Sequence, residues 1–112
     1  RAGLACGEVA LLAWEILKPG AQAFLTIDDG SALEAMRILA DGRFGDAPIV
    51  AGESAVAGLV GALAAAGDAE LRKQLDLNES SRVLVFGSEG ATDPELYQRI
   101  VGKPAEAIKV AA

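Results

Sequence analysis

Apolar residues along this chain recur at two spacings, one helical and one too tight for a helix. Over residues 8–18 they follow the helical interval, with Val9, Leu12 and Ile16 on one face and Leu11 beside them, and Pro19-Gly20 predicts the stop. Residues 23–27 form a short apolar run that reads as a strand. Asp28 is a natural N-cap for a helix to about Ala40, with Leu33, Met36 and Ala40 in line, and Asp41-Gly42 predicts a left-handed end. A loop at 43–47 leads to a second short strand at 48–51. Ser54 is then predicted to cap a helix of small residues over 55–66, whose larger members are Leu59, Val60 and Leu63. Asp68 opens a short amphipathic helix to about Leu75, and 77–81 is polar loop. Residues 82–87 make the third strand, 93 to about 101 a last helix, and Gly102 its stop. The tail over 103–112 reads as helix or as unstructured chain.

Helices alternating with strands predict an α/β fold with a mainly parallel sheet, arranged as a three-layer α/β/α sandwich. Three strands make a thin sheet, and each is apolar on both faces. That places the rest of the sheet elsewhere. Trp14 and Met36 fall in helix-period stripes and are expected in the core. The Gly58-x-x-Gly61 run predicts close packing of its helix against the sheet.

Composition narrows the picture. The 112 residues suit one domain, and 52% are apolar before any of the 13 glycines is counted, against roughly 45–50% with glycine included in typical domains. The chain opens on Arg1 and its one methionine is Met36, which predicts a processed or truncated product. Its net charge is −6, with the basic residues scattered, so neither nucleic acid nor an anionic membrane is an expected partner. The longest apolar stretch, 54–67, is too short to span a bilayer. Cys6 has no second cysteine to pair with, which points to a reducing cytoplasm. It reads as a small buried hydrophobe.

With no histidine there is no Ser-His-Asp triad or Cys-His pair, and no zinc-type cluster or Walker loop is present. What remains is Val83-Leu-Val-Phe-Gly-Ser-Glu-Gly-Ala-Thr-Asp-Pro94. It presents a hydroxyl and a carboxylate where a predicted strand ends, which is where open α/β sheets bind ligands. Thr92 or Asp93 is suited to the N-cap, Pro94 to the first turn, and Glu95 to a capping box. Gly52-Glu53-Ser54 repeats the theme after the second strand. Ser88 either caps its turn or faces a ligand. Glu53 and Glu89 either complement a helix N-terminus or line a site.

Gly3-Leu4-Ala5-Cys6-Gly7-Glu8, Ala23-Phe24-Leu25-Thr26-Ile27-Asp28-Asp29, Ala35-Met36-Arg37, Gly52-Glu53-Ser54-Ala55 and Ser88-Glu89-Gly90-Ala91-Thr92-Asp93-Pro94 together resemble the C-terminal part of the diaminopropionate ammonia-lyase family. That family sits among the tryptophan synthase β-like, fold type II enzymes that use pyridoxal 5'-phosphate, as threonine dehydratase does. The resemblance covers about residues 3–102 and implies that the chain, 1–112, is the C-terminal part of such a catalytic domain. It implies a homodimer that takes an amino-acid substrate, 2,3-diaminopropionate, and yields pyruvate and ammonia. It also implies that the Schiff-base lysine and the phosphate loop belong to an N-terminal remainder of the same enzyme, so that 112 residues alone are inactive. Ser88 is then the hydroxyl facing the pyridine nitrogen. Some relatives carry that hydroxyl one position earlier, at Gly87, and Glu53 matches an acid near the cofactor ring. The rival readings are a threonine or serine dehydratase and a self-contained α/β domain that binds a small ligand.

Overall fold

A computed structural model describes residues 7–109. Cys6, most of the first family segment and the last three residues of the tail lie outside the described residues. The elements are helix α1 (Leu11–Gly20), α2 (Asp29–Asp41), a 3-10 turn (Glu53–Ala55), α3 (Ala57–Gly67), α4 (Ala69–Gln74), α5 (Pro94–Val101) and a second 3-10 turn (Ala105–Ala107).

Local chemistry accounts for most helix ends. The Asp28 carboxylate accepts from the Ser31 amide at 2.8 Å, and Gly42 closes α2 at φ +57°. Asp68 accepts from both the Glu70 and Leu71 amides, and Asp93 from the Leu96 amide. Pro94 occupies the first turn of α5, where an amide would find no partner, and Gly102 ends it at φ +88°. Each oxygen satisfies a donor that a helix N-terminus otherwise leaves to water. Of the predicted caps, Ser54 fails. A 3-10 turn precedes α3, and the Ser54 hydroxyl is buried without a hydrogen-bond partner among the described residues.

No strand is present among the described residues, so the predicted three-layer α/β/α sandwich with its parallel sheet, tryptophan synthase β-like, is corrected by the structure. Residues 23–27, 48–51 and 82–87 lie outside the helices, but none pairs with another. The backbone bonds nearby go elsewhere: the Ile49 amide donates to Leu39 and the Gly52 amide to Glu89. A run of Val, Leu and Phe is compatible with a strand, but a strand exists only through its neighbours' amides and carbonyls. Nor are both faces covered, since Leu84 and Phe86 are 78% and 80% exposed.

The core is helical instead. Met36 of α2, Tyr97 of α5 and Val56 after the first 3-10 turn are its largest fully buried side chains, with Ala35, Ala40, Ala51, Val60 and Ile108 around them. Burying a large side chain of this kind stabilises by roughly 1.5–3 kcal/mol. Arg37 ties α2 to α5 by donating its Nε–H to the Ile100 carbonyl at 2.9 Å, at the helix end where a cation is favoured. Ile108 brings part of the tail onto this core.

Helix α1 begins three residues later than the pattern predicts and buries nothing. Trp14, expected in the core, is instead half-exposed, with its ring beside that of Phe24 at a centroid distance of 6.3 Å. Gly58 does pack closely, its missing Cβ position lying 3.3 Å from Val85, but the partner is an extended segment rather than a sheet. Leu25, Ile27, Gly61, Leu77, Leu84 and Phe86 line an apolar groove of about 690 Å³ beside it. The Cα radius of gyration is 15.4 Å, whereas a compact domain of this length has about 13 Å. Contacts are thus concentrated in α2, α3 and α5, and the apolar segments outside them stay open.

Candidate functional site

Two turns 35 residues apart meet at the amino end of the first 3-10 turn. Residues 52–55 come from one, residues 87–92 from the other. The Gly52 amide donates to the Glu89 carbonyl at 3.0 Å. The Ser54 amide donates to Glu89 Oε2 at 2.8 Å, and the Thr92 hydroxyl to Glu89 Oε1 at 2.8 Å. These bonds to the charged form, the Ser54 amide foremost and then the Thr92 hydroxyl, hold the Glu89 carboxyl below the usual carboxylate range.

The approach leaves no room for a side chain at Gly52. A Cβ on Gly52 would run into the Gly90 carbonyl and stand 2.7 Å from Glu89 Oε2. At Gly87 the corresponding position lies 3.4 Å from the Ala55 carbonyl. Gly52 therefore serves close approach, with an ordinary φ of −85°. Gly52→Ala is expected to destabilise the protein by about 1–3 kcal/mol, because backbone, not a flexible side chain, must move. A urea midpoint equal to wild type would show that the two turns do not meet this closely.

Ser88 is exposed, and its hydroxyl is bonded to no described protein atom. It does not cap its turn. The next residue, Glu89, is bonded to the Gly52 and Ser54 amides, so Ser88 stands directly beside a held residue. Glu53 is half-buried, its side chain makes no hydrogen bond among the described residues, and it lines a cavity of about 220 Å³ with Gly52, Glu89, Gly90, Thr92 and Tyr97. Asp93 takes the N-cap of α5, which frees Thr92 for Glu89. The structure thus brings Gly52, Glu53 and Ser54 against Glu89, Gly90 and Thr92, and leaves the Ser88 hydroxyl free beside them.

Sequence reasoning left Glu89 as either a helix complement or a site residue. It is the residue that joins the two turns, and both of its carboxylate oxygens are taken. No local pattern reveals a bond across 35 residues. Tyr97 was also missed as a wall of the cavity, since its place in α5 marks it only as apolar. Among the described residues, no three of His, Cys, Asp and Glu converge in a way that would hold a metal ion, and no helix is long and apolar enough to cross a membrane.

No family model matches the chain, and no solved structure matches it. Curated relatives do. Over 105 residues, 89% of this chain, it is 39% identical to the diaminopropionate ammonia-lyase of Salmonella typhimurium (strain LT2). Over 111 residues, 96% of this chain, it is 40% identical to the diaminopropionate ammonia-lyase of Escherichia coli (strain K12). The match takes in 26% and 28% of those proteins, so the chain spans about a quarter of the length of the curated relatives it matches. The resemblance carried by residues 52–55 and 88–94 therefore holds over nearly the whole chain, which is similar to one segment of the diaminopropionate ammonia-lyases.

Proposed function

We propose that this chain is the C-terminal part of a pyridoxal 5'-phosphate-dependent ammonia-lyase that acts on 2,3-diaminopropionate. The observation that carries the reading is the 40% identity over 96% of the chain to an enzyme of that name. The complete protein is read as a cytoplasmic homodimer, with the lysine and phosphate loop in the part N-terminal to this chain.

The donor set fits part of a cofactor site. Ser88 offers an exposed, unused hydroxyl on a held turn, which suits a pyridine nitrogen that needs a neutral hydrogen-bond donor. Gly87 keeps the backbone beside it clear of a Cβ. Glu53, half-buried and without a hydrogen bond among the described residues, would lie near the ring. The lysines do not fit the covalent anchor, because Lys18, Lys73, Lys103 and Lys109 are all exposed. When bound, the cofactor supplies the electron sink for loss of the β-amino group. Ser88 would orient the ring without adding charge to it. A neutral donor keeps that sink mild, which suits a reaction whose leaving group drains the electrons.

The overall change is 2,3-diaminopropionate plus water to pyruvate and two ammonia. Release of pyruvate from that substrate by the full-length protein is the expected result. Conversion of threonine to 2-oxobutyrate alone would establish the dehydratase reading instead. For the site, Ser88→Ala in the full-length protein should loosen the cofactor by the worth of one hydrogen bond, about 1 kcal/mol or roughly fivefold in affinity. Ser88→Asp should shift the bound cofactor's absorbance by favouring a protonated ring. If both variants keep wild-type affinity and spectrum, Ser88 is not the donor.

A further inference from the structure

We propose that Glu89 is a positioning residue of the candidate site: by clamping the 52–55 turn to the 87–92 turn it sets where Ser88 stands relative to Glu53. The proposal rests on the reading in which Ser88 meets the cofactor. Both oxygens of the Glu89 side chain are used, one by the Ser54 amide and one by the Thr92 hydroxyl, each at 2.8 Å. Its own carbonyl takes the Gly52 amide at 3.0 Å. Ser88 precedes it directly and has no tie of its own, so its position is set by its neighbours. On one side Gly87 runs past Ala55, where a Cβ built on it would lie 3.4 Å from the Ala55 carbonyl; on the other Glu89 is bonded three times. With both oxygens occupied, the carboxylate is a poor base for substrate, whereas Glu53 in the same cavity is unbonded.

Removing the carboxylate should not unravel the turn, because the Gly52 to Glu89 backbone bond remains. It should free the Ser54 amide and let the tip that carries Ser88 wander. Glutamine distinguishes placement from charge. Its oxygen can still accept from the Ser54 amide while its NH2 donates to the Thr92 hydroxyl, so the clamp survives without the negative charge.

The test uses the full-length protein as wild type, Glu89→Gln, Glu89→Ala, Ser88→Ala and the Ser88→Ala/Glu89→Ala double variant. Two quantities are read: hydrogen exchange of the peptide containing the Ser54 amide in the cofactor-free protein, and the dissociation constant for pyridoxal 5'-phosphate. Glu89→Ala is expected to speed that exchange by about tenfold or more, as befits the loss of charge-assisted bonds, and to weaken the cofactor by up to the roughly fivefold that Ser88→Ala costs. Glu89→Gln should stay within about threefold of wild type in both. In the Ser88→Ala background, Glu89→Ala should add little to the loss of affinity, because the group it positions is gone. An equal added loss in that background would overturn the proposal. So would a Glu89→Gln protein with slow exchange but crippled affinity or turnover, which would make the charge itself the requirement. A wild-type protein that binds no cofactor would remove the functional reading and this proposal with it. That outcome is distinct, since the exchange measurement would still report whether Glu89 holds the Ser54 amide.

Discussion

Pyridoxal 5'-phosphate added to the 112-residue chain alone is expected to form no stable covalent link to any of its four lysines. A lysine that condenses with the cofactor near neutral pH is one held in a desolvated pocket or beside other cations. No lysine here lies in such a place. Lys18 is at the exposed end of α1, Lys73 on the open side of α4, and Lys109 in the exposed tail. Lys103 is exposed and ion-paired, its Nζ 3.4 Å from Asp41. A net charge of −6 also repels the cofactor's phosphate. Titration followed by absorbance should show no saturable band, and borohydride should fix no label on a single site. A stoichiometric label on one of these lysines would overturn both this expectation and the placing of the anchor outside the chain. The same cofactor should be retained by the full-length protein, so the contrast between the two is close to all or none.

Features read correctly from the sequence are those that depend on residues within one turn of each other. Asp28 with Ser31, Asp68 with Leu71 and Asp93 with Leu96 each span three positions, so the acid and the following helix are visible together. Gly42 and Gly102 are legible for the same reason, because a glycine after a helical run is the usual left-handed stop. Met36 and Ala40 were found in the core because α2 is paired on that face.

Where the outcome depends on distant chain, the reading failed. Residues 83–86 have the composition of a buried strand, yet a ladder needs partners, and none pairs with them among the described residues. Trp14 sits in a helical stripe of which no residue is buried. Ser54 has the chemistry of an N-cap, but Glu89 takes its amide and a 3-10 turn displaces the start of α3. Ser88 and Glu53 were chosen on motif, and the structure sets their turns together. The bond that sets them so belongs to Glu89, which the sequence left ambiguous.

Tyr97 separates packing from hydrogen bonding more sharply than any other residue of the core. It is 2% exposed, and its hydroxyl is buried with no partner among the described residues. Burial, and after it the charge of Asp41, pushes the phenol above its ordinary range. Truncation to alanine removes the largest side chain that α5 contributes to α2 and opens a cavity beside Met36. Tyr97→Ala is expected to cost about 3–5 kcal/mol, a large share of the stability of a domain this size. Because α5 begins where the 87–92 turn ends, the loss should reach the site and weaken cofactor retention as well. Tyr97→Phe should behave in the opposite sense. It keeps the ring and deletes a hydroxyl whose unpaired burial costs about 1–3 kcal/mol, so the variant should be neutral or more stable by roughly 1 kcal/mol. Urea unfolding of the cofactor-free full-length protein, with both variants beside wild type, measures the difference directly. A Tyr97→Phe protein destabilised by more than about 1 kcal/mol would mean that the hydroxyl is bonded in the full-length protein. Its partner would then be a group that the described residues do not supply, reaching into the same cavity that Glu53 and Glu89 line.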